Sequence, residues 1–296
     1  MIQQTQEFPV IWIQGSGCSG CSVSILNALS PSIFNTLIDE IVPGSHISLV
    51  FHSTLMAGAG EPAITAMTRA EKEHKSGYIL VIEGSLSVGE NGAFAVVGET
   101  EGRHLIMTDL VARLASQALT VICLGSCSSF GGIPGGEPNP TGIISTEAFL
   151  ESQGIQTSLI NIPGCPPHPD WFLGTVADLI IHGPPETQEL DELKRPKSFF
   201  GKLIHEQCQR RAYFDAGKFA GKLGEEGCLL KLGCKGPYTY GDCPIRQWNS
   251  GVNWCIDCGA PCIGCCEPEF PDKFSPIYEK ITQDRIVQFQ VGGGPR

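Results

Sequence analysis

Short apolar runs recur along the first half of the chain, separated by segments with helical periodicity. Residues 9–14, 46–52, 77–82, 120–124 and 158–162 each read as strands, five to seven residues long and bounded by turn-forming residues. Between them, residues 22–29, 63–74, 107–116 and 146–153 repeat apolar positions at helical spacing. Several of the strands are apolar throughout rather than alternating, which is the pattern of a parallel sheet covered on both faces by helices. The predicted class is therefore α/β, and ligands in such sheets sit outside the carboxyl ends of the strands. After Gly183 the periodicity fails. "HGPPETQELDELKRPKSFFG" reads as a polar connector, and the remainder of the chain is rich in Gly, Pro and Cys. Two domains are expected, 1–183 and 184–296.

Composition narrows the function. Of 296 residues, 42% are hydrophobic and 17% charged, as in a globular protein, and no stretch approaches the roughly 20 apolar residues of a spanning helix. A net charge of −11 disfavours nucleic acid as the main partner. The N-terminus has no positive n-region, twin arginine or cleavage site, so a cytoplasmic location is expected. In a reducing compartment the 14 cysteines favour metal ligation over a disulfide framework.

Gly15-Ser16-Gly17-Cys18-Ser19-Gly20 fits a dinucleotide-binding pattern, yet the same loop carries Cys18-x-x-Cys21. A nucleotide fold needs an acidic residue at the end of the second strand. Asp39 and Glu40 precede Pro43-Gly44 and that strand ends in His52-Ser53, so the loop reads as a metal site. Other predicted strands run into "EGS" with Glu83, "GSCSSFGGIPGG" with Cys127 and "PGCPPHPDW" with Cys165. Strand ends on one edge of a parallel sheet converge, which lets Cys18, Cys21, Cys127 and Cys165 meet. Four thiolates suit zinc or an iron–sulfur cluster, and the neighbouring glycines favour the cluster because they let backbone N–H groups approach its sulfides. Glu83 reads either as a strand-end cap or as an electrostatic or proton-handling auxiliary. Cys123 reads as a small core hydrophobe and His168 as a packed turn residue.

The second half holds His205-x-x-Cys208, Cys228, Cys234 and Cys243, then Cys255, Cys258, Cys262, Cys265 and Cys266. These are ten candidate ligands, enough for two four-ligand sites, and spacing alone does not say which four belong together. From Lys194 to Lys222 there are eight Lys or Arg against two acids, Glu206 and Asp215. That run reads as a solvated face or as a docking patch for an acidic redox partner.

Taken in order, "GCSGCS", "EGS", "GSCSSFGGIP", "PGCPPHPDW", "IHEQC", "LGCKGP", "DCPIRQWN" and "PCIGCCEPEFPD" resemble the small subunit of nickel–iron hydrogenases. The resemblance implies a flavodoxin-like parallel-sheet domain followed by an irregular, cysteine-rich iron–sulfur domain. It also implies electron transfer for H2 ⇌ 2 H+ + 2 e−, with the Ni-Fe centre in an obligate large subunit and no catalytic residue in this chain. It allots Cys18, Cys21, Cys127 and Cys165 to a proximal 4Fe-4S cluster, with Glu83 as an auxiliary nearby. His205, Cys208, Cys228 and Cys234 fall to a distal 4Fe-4S cluster, and Cys243, Cys262 and Cys265 to a medial one. Many members have proline where "NWC" places Cys255 and carry a medial 3Fe-4S cluster. Here Cys255 implies a fourth medial ligand and three 4Fe-4S clusters, as in the nickel–iron–selenium branch; without Cys255 the medial cluster would be 3Fe-4S. Cys258 and Cys266 are then spares. Gly20 and Gly132 stand where oxygen-tolerant members with a six-cysteine proximal cluster have cysteines, which implies no tolerance by that route.

With the basic run near His205, the resemblance points to an acidic ferredoxin or flavoprotein as the redox partner. Three rival readings remain at this level. The cluster-bearing subunit of a complex I-like quinone reductase shares the "PGCPP" turn, but that family has adjacent cysteines in its first loop and lacks the long C-terminal domain. A zinc-stabilised scaffold and a nucleotide-dependent dehydrogenase are further removed.

Overall fold

A computed structural model describes residues 6–38 and 43–279. Asp39 and Glu40 lie outside the described residues. The five predicted strands form one parallel sheet: β1 (Gln6–Gln14), β2 (Ser45–His52), β3 (Ile79–Glu83), β4 (Thr120–Leu124) and β5 (Leu159–Ile162). Their spatial order is β2-β1-β3-β4-β5, the doubly wound order of flavodoxin-like folds, with its switch point beside β1. Register aligns the strand ends: Gln14 lies opposite Glu83, Glu83 opposite Leu124, and Leu124 opposite Ile162. All the loaded loops therefore leave the sheet at one level.

Every residue of β3 and β4 is buried, which explains why those segments are uninterrupted apolar runs. Seven helices accompany the sheet: α1 (Gly20–Leu26), α2 (Ile33–Ile38), α3 (Glu61–Glu73), α4 (Met107–Ala115), α5 (Ser126–Phe130), α6 (Thr146–Ser152) and α7 (Pro169–His182). On one face Ile11, Ile13, Leu80, Ile82, Val121 and Cys123 pack with Met67 of α3 and Leu110 and Leu114 of α4. On the other, Trp12 meets Phe172 of α7 with ring centroids 5.2 Å apart. Helices α2, α5 and α7 are absent from the sequence reading, α2 because six residues show too little of a period. Helix α5 is five residues long, between glycines, too short to show a period. Helix α7 begins in a proline run that reads as a turn, yet proline suits the first turn of a helix. His168 caps it, its Nδ1 accepting from the Asp170 N–H at 3.1 Å.

The chain divides into two compact units, Met1–Pro196 and Lys197–Arg296. The division falls after Pro196 rather than after Gly183. Asn161 of β5 donates its N–H to the Lys194 carbonyl at 2.9 Å and its amide Nδ2 to the Leu193 carbonyl at 2.8 Å, so the polar connector is tied to the sheet. In the second unit the helices are four or five residues long: α8 (Lys197–Phe200), α9 (Ile204–Gln207), α10 (Arg211–Asp215) and α11 (Cys243–Arg246). Among its described residues there is no strand beyond isolated bridges. Its main apolar cluster, with Ile204, Leu229, Leu232, Trp254 and Ile256, incorporates Cys234 and Cys262. No helix among the described residues is long and apolar enough to cross a membrane.

Leu110 is fully buried in the sheet–helix core, so Leu110→Ala should lower stability by about 2–5 kcal/mol. Glu73→Ala, which breaks an exposed helix pair with Arg69, should cost about 0.5 kcal/mol or less. Denaturant unfolding of both variants measures the contrast.

Candidate metal-cluster sites

The carboxyl edge of the sheet gathers the first thiol set. β1 leads into Cys18 and Cys21, β4 into Cys127 within α5, and β5 into Cys165, while β3 ends in Glu83. The Cys21 thiol is pushed far above its ordinary range, first by burial and then by the charges of Glu83, Cys127, Cys18 and Cys165. Burial and Cys18 likewise raise Cys127. The four predicted thiols and Glu83 therefore share one electrostatic neighbourhood, although their sequence positions span 18 to 165.

Close approach of the loops depends on particular glycines. Gly125 has φ +88, and a Cβ there would lie 2.5 Å from the Cys21 Sγ. At Gly132, φ +55, a Cβ would lie 2.8 Å from the Cys127 Cα and 3.0 Å from its Sγ. Side-chain bonds lock the loops to each other. Ser126 Oγ accepts from the Gly164 N–H at 2.9 Å, and Ser24 Oγ donates to the Pro167 carbonyl at 2.7 Å.

The glycine pattern is not a phosphate cradle. Gly15 N–H donates to the Glu83 carbonyl at 2.7 Å, and Ser16 and Ser85 exchange backbone bonds at 3.0 and 2.9 Å. Backbone donors of the Gly15-Ser16 turn thus already join this loop to the "EGS" loop.

The thiols fit a metal group larger than one ion. Zinc needs four donors within about 2.0–2.3 Å of one centre. Among the described residues no three His, Cys, Asp or Glu side chains converge on a single-ion site. Thiols that raise one another's proton affinity, in glycine-lined space, suit a cluster of several irons, whose positive charge offsets that of the thiolates.

Behind the thiols lies a polar network that the sequence reading did not anticipate. Glu83, 3% exposed, accepts from Trp12 Nε1 at 2.9 Å, Gln14 Nε2 at 3.1 Å and the Ser22 N–H at 3.0 Å, and from the Ser22 hydroxyl through a short bond. Ser22 Oγ also bonds His52 Nε2 at 3.1 Å. A histidine closing β2 and a serine directly after Cys21 were the available signals.

In the second unit His205, Cys208, Cys228 and Cys234 line one cavity with Arg210, Leu229, Gly236 and Ile256. Burial pushes the Cys234 thiol up to about 12, with Cys228 and Cys208 adding to it. Burial, then Arg211, lowers His205, favouring the neutral imidazole that ligates metal. Cys243 is raised well above its usual range by burial and then by Cys265 and Cys255. Cys262 is raised likewise, by burial, Cys234, Cys265 and Cys243. Cys243, Cys255, Cys262 and Cys265 therefore form a second neighbourhood within this unit. Cys258 faces Cys255, and Cys266 is buried beside Cys265. Cys123 is fully buried in the sheet core, as a packing residue.

Much of the basic run is neutralised within the chain. Lys194 pairs with Glu147 at 2.6 Å, Arg195 with Asp191 at 2.7 Å, Arg211 with Asp215 at 2.9 Å, Lys218 with Glu226 at 2.7 Å and Lys222 with Glu225 at 3.7 Å. Arg210 donates to the Glu225 and Gly227 carbonyls at 3.1 and 2.9 Å, bracing the loop before Cys228. Lys202 is exposed and makes no ion pair among the described residues.

Comparison with known proteins now has a geometry to meet. Residues 200–278 match the family described as the C-terminal part of the NiFe/NiFeSe hydrogenase small subunit. Residues 18–179 match the family described as NADH ubiquinone oxidoreductase, 20 Kd subunit. The periplasmic [NiFeSe] hydrogenase small subunit of Desulfomicrobium baculatum is 43% identical over 94% of this chain and 89% of its own length. The periplasmic [NiFe] hydrogenase small subunit of Solidesulfovibrio fructosivorans is 39% identical over 92% and 81%. A solved structure of the H2-activated [NiFeSe] hydrogenase from Dm. baculatum superposes with a TM-score of 0.87 at 43% identity, covering 93% of this chain and 100% of that one. These periplasmic relatives overturn the expected cytoplasmic location. That expectation rested on the N-terminal residues alone, and the folded part of a chain carries no mark of its compartment.

Gly125→Ala should displace the Cys21 thiol, with about 1–3 kcal/mol of backbone strain besides. Metal analysis of the purified variant should show loss of metal from the first thiol set and retention of metal in the second unit.

Proposed function

Since the chain belongs to the nickel–iron hydrogenase small-subunit family, we propose that it conducts electrons between the Ni-Fe centre of its large subunit and an external acceptor through three iron–sulfur clusters. Members of this family carry iron–sulfur clusters, and the large subunit holds the Ni-Fe centre. The observation that carries the proposal is the gathering of Cys18, Cys127, Cys165 and Glu83 around Cys21, each adding to the proton affinity of its thiol.

Cys18, Cys21, Cys127 and Cys165 would hold a proximal 4Fe-4S cluster in the sheet domain. His205, Cys208, Cys228 and Cys234 would hold a distal 4Fe-4S cluster, and Cys243, Cys255, Cys262 and Cys265 a medial one, in the cysteine-rich domain. When bound, each cluster supplies a one-electron relay. The residues of this chain supply the thiols and direct backbone N–H groups at sulfur. Arg210 N–H to Cys208 Sγ at 3.4 Å and Gly236 N–H to Cys234 Sγ at 3.5 Å are bonds of that kind. Such donors stabilise the more negative, reduced state. The neutral His205 in place of a thiolate should raise the distal potential. A quinone-reductase reading draws on the match over residues 18–179 alone and gives no role to the nine cysteines after residue 207.

Anaerobically purified heterodimer should contain about 13 iron and 1 nickel. Zinc in place of iron would exclude the relay. In the oxidised state a dominant 3Fe-4S EPR signal should be absent from the wild type and present in Cys255→Ala.

We assign the acceptor to acidic ferredoxins or flavoproteins, with Lys202 as the contributing cation. Lys202→Glu should slow acceptor reduction and flatten the salt dependence of that rate, measured by stopped flow.

A further inference from the structure

His205 is oriented in a different way from other histidines of the chain. His168 accepts from the Asp170 N–H at 3.1 Å, and His182 Nδ1 bonds the Asp178 carboxylate at 2.8 Å. His52 bonds through both ring nitrogens, to Ser22 and Thr54. Among the described residues, neither ring nitrogen of His205 has a hydrogen-bond or ion-pair partner. A metal-ligating imidazole is usually turned toward its metal by a hydrogen bond from its second nitrogen to a carboxylate or carbonyl. Asp215 and Glu206 act on His205 through charge, but their carboxylates are engaged elsewhere. Asp215 accepts from Arg211 Nε at 2.9 Å and Glu206 from the Leu203 N–H at 3.3 Å.

What touches the ring is Phe214 of α10. The two ring centroids lie 4.6 Å apart with their planes at 86°, an edge-to-face contact. Phe214 is itself held in place. Arg211, one turn earlier on α10, sets its guanidinium carbon 5.6 Å from the Phe214 centroid and is pinned in turn by Asp215. Phe219 meets Phe214 edge-to-face at 6.0 Å, and Lys231 Nζ lies 4.6 Å from the Phe219 centroid. Phe214 and Phe219 also pack against buried Cys228 and Leu230.

The backbone ties this aromatic row to two further candidate ligands. At the head of α10 the Arg211 N–H donates to the Cys208 carbonyl at 2.9 Å. Beyond its end the Cys228 N–H donates to the Lys218 carbonyl, also at 2.9 Å. The Phe214 ring therefore stands in one frame with Cys208 and Cys228, the residues with which His205 must be aligned.

We propose that Phe214 is the positioning residue of the distal site: its ring sets the rotation of the His205 imidazole, and so the plane in which that imidazole meets iron. This rests on the reading that His205, Cys208, Cys228 and Cys234 hold an iron–sulfur cluster. The torsion that turns an imidazole about its own axis is broad and selects no single angle by itself. With no hydrogen bond to fix it, packing makes the selection, and the edge-to-face preference of the ring pair supplies it. Rotation about an iron–nitrogen bond changes how much unpaired electron density reaches the nitrogen. The positioning therefore has a spectroscopic readout separate from turnover.

The test is pulsed EPR of the intact, anaerobically reduced heterodimer, reading the electron–nuclear coupling of directly bound nitrogen. His205 is the one nitrogen donor among the proposed ligands, so this signal reports the distal site alone. The wild type should show a single narrow coupling. Phe214→Leu, which keeps apolar bulk and removes the planar ring, should broaden and shift that coupling at wild-type iron content. Phe214→Met, a flexible filler of the same space, should do the same, and Phe214→Tyr, which keeps the ring, should restore the wild-type line. An unchanged coupling in Phe214→Leu and Phe214→Met would overturn the positioning role and leave the cluster reading intact. Loss of distal iron from both variants would also overturn it, since Phe214 would then hold up the site rather than aim the ring. Absence of any bound-nitrogen coupling from iron-loaded wild type would overturn the ligand reading of His205 and the proposal with it.

Discussion

The mutual repulsion of crowded thiols is the constraint on which the rest of the structure depends. Cys21 is desolvated and stands beside three further thiols and a carboxylate, all of the same sign when ionised. Such an assembly is tolerable only with its protons in place or with a positive group among them. The parallel sheet provides the rigidity to hold it: β1, β3, β4 and β5 end at one level, in a core that admits little relaxation. The loops can then be short, because the strands have already brought them together.

Short loops around sulfur leave little space for side chains, which accounts for the glycines at the edge of the sheet. Gly125 and Gly132 combine a backbone conformation that other residues avoid with contacts to the Cys21 and Cys127 sulfurs that a methyl group would invade. The same crowding places Glu83 directly behind the thiols. Satisfying its oxygens then recruits an indole, an amide and a hydroxyl from β1 and α1. A dinucleotide-like glycine pattern thereby serves close chain approach to the "EGS" loop.

The second unit solves the problem of holding thiols by other means. Its helices are four or five residues long, too short to be stable by themselves. Its apolar cluster includes ligand candidates Cys234 and Cys262, so candidate ligands and core are one body. In a unit of this kind metal binding contributes to the folding free energy itself. The internal ion pairs of its basic run show why a charge count along the sequence overstates a docking patch: Arg211, Lys218 and Lys222 each meet an acid within the unit.

The sequence by itself determined the five strands, four of the helices between them and the pool of sulfur ligands. Periodicity and the sparing chemistry of cysteine are local properties, and they survive without knowledge of contacts. The family motifs extended that reading to a grouping of the ligands. Helices α2, α5 and α7 were hidden by shortness or by prolines, and the connector's attachment to β5 by its polar composition. Only the tertiary structure decided that Trp12, Gln14 and Ser22 converge on Glu83 to satisfy a buried carboxylate, with His52 bonded to Ser22 behind them. No spacing rule links residues 12, 22, 52 and 83, because their proximity arises from strand order in the sheet, and strand order is set by how the whole core packs.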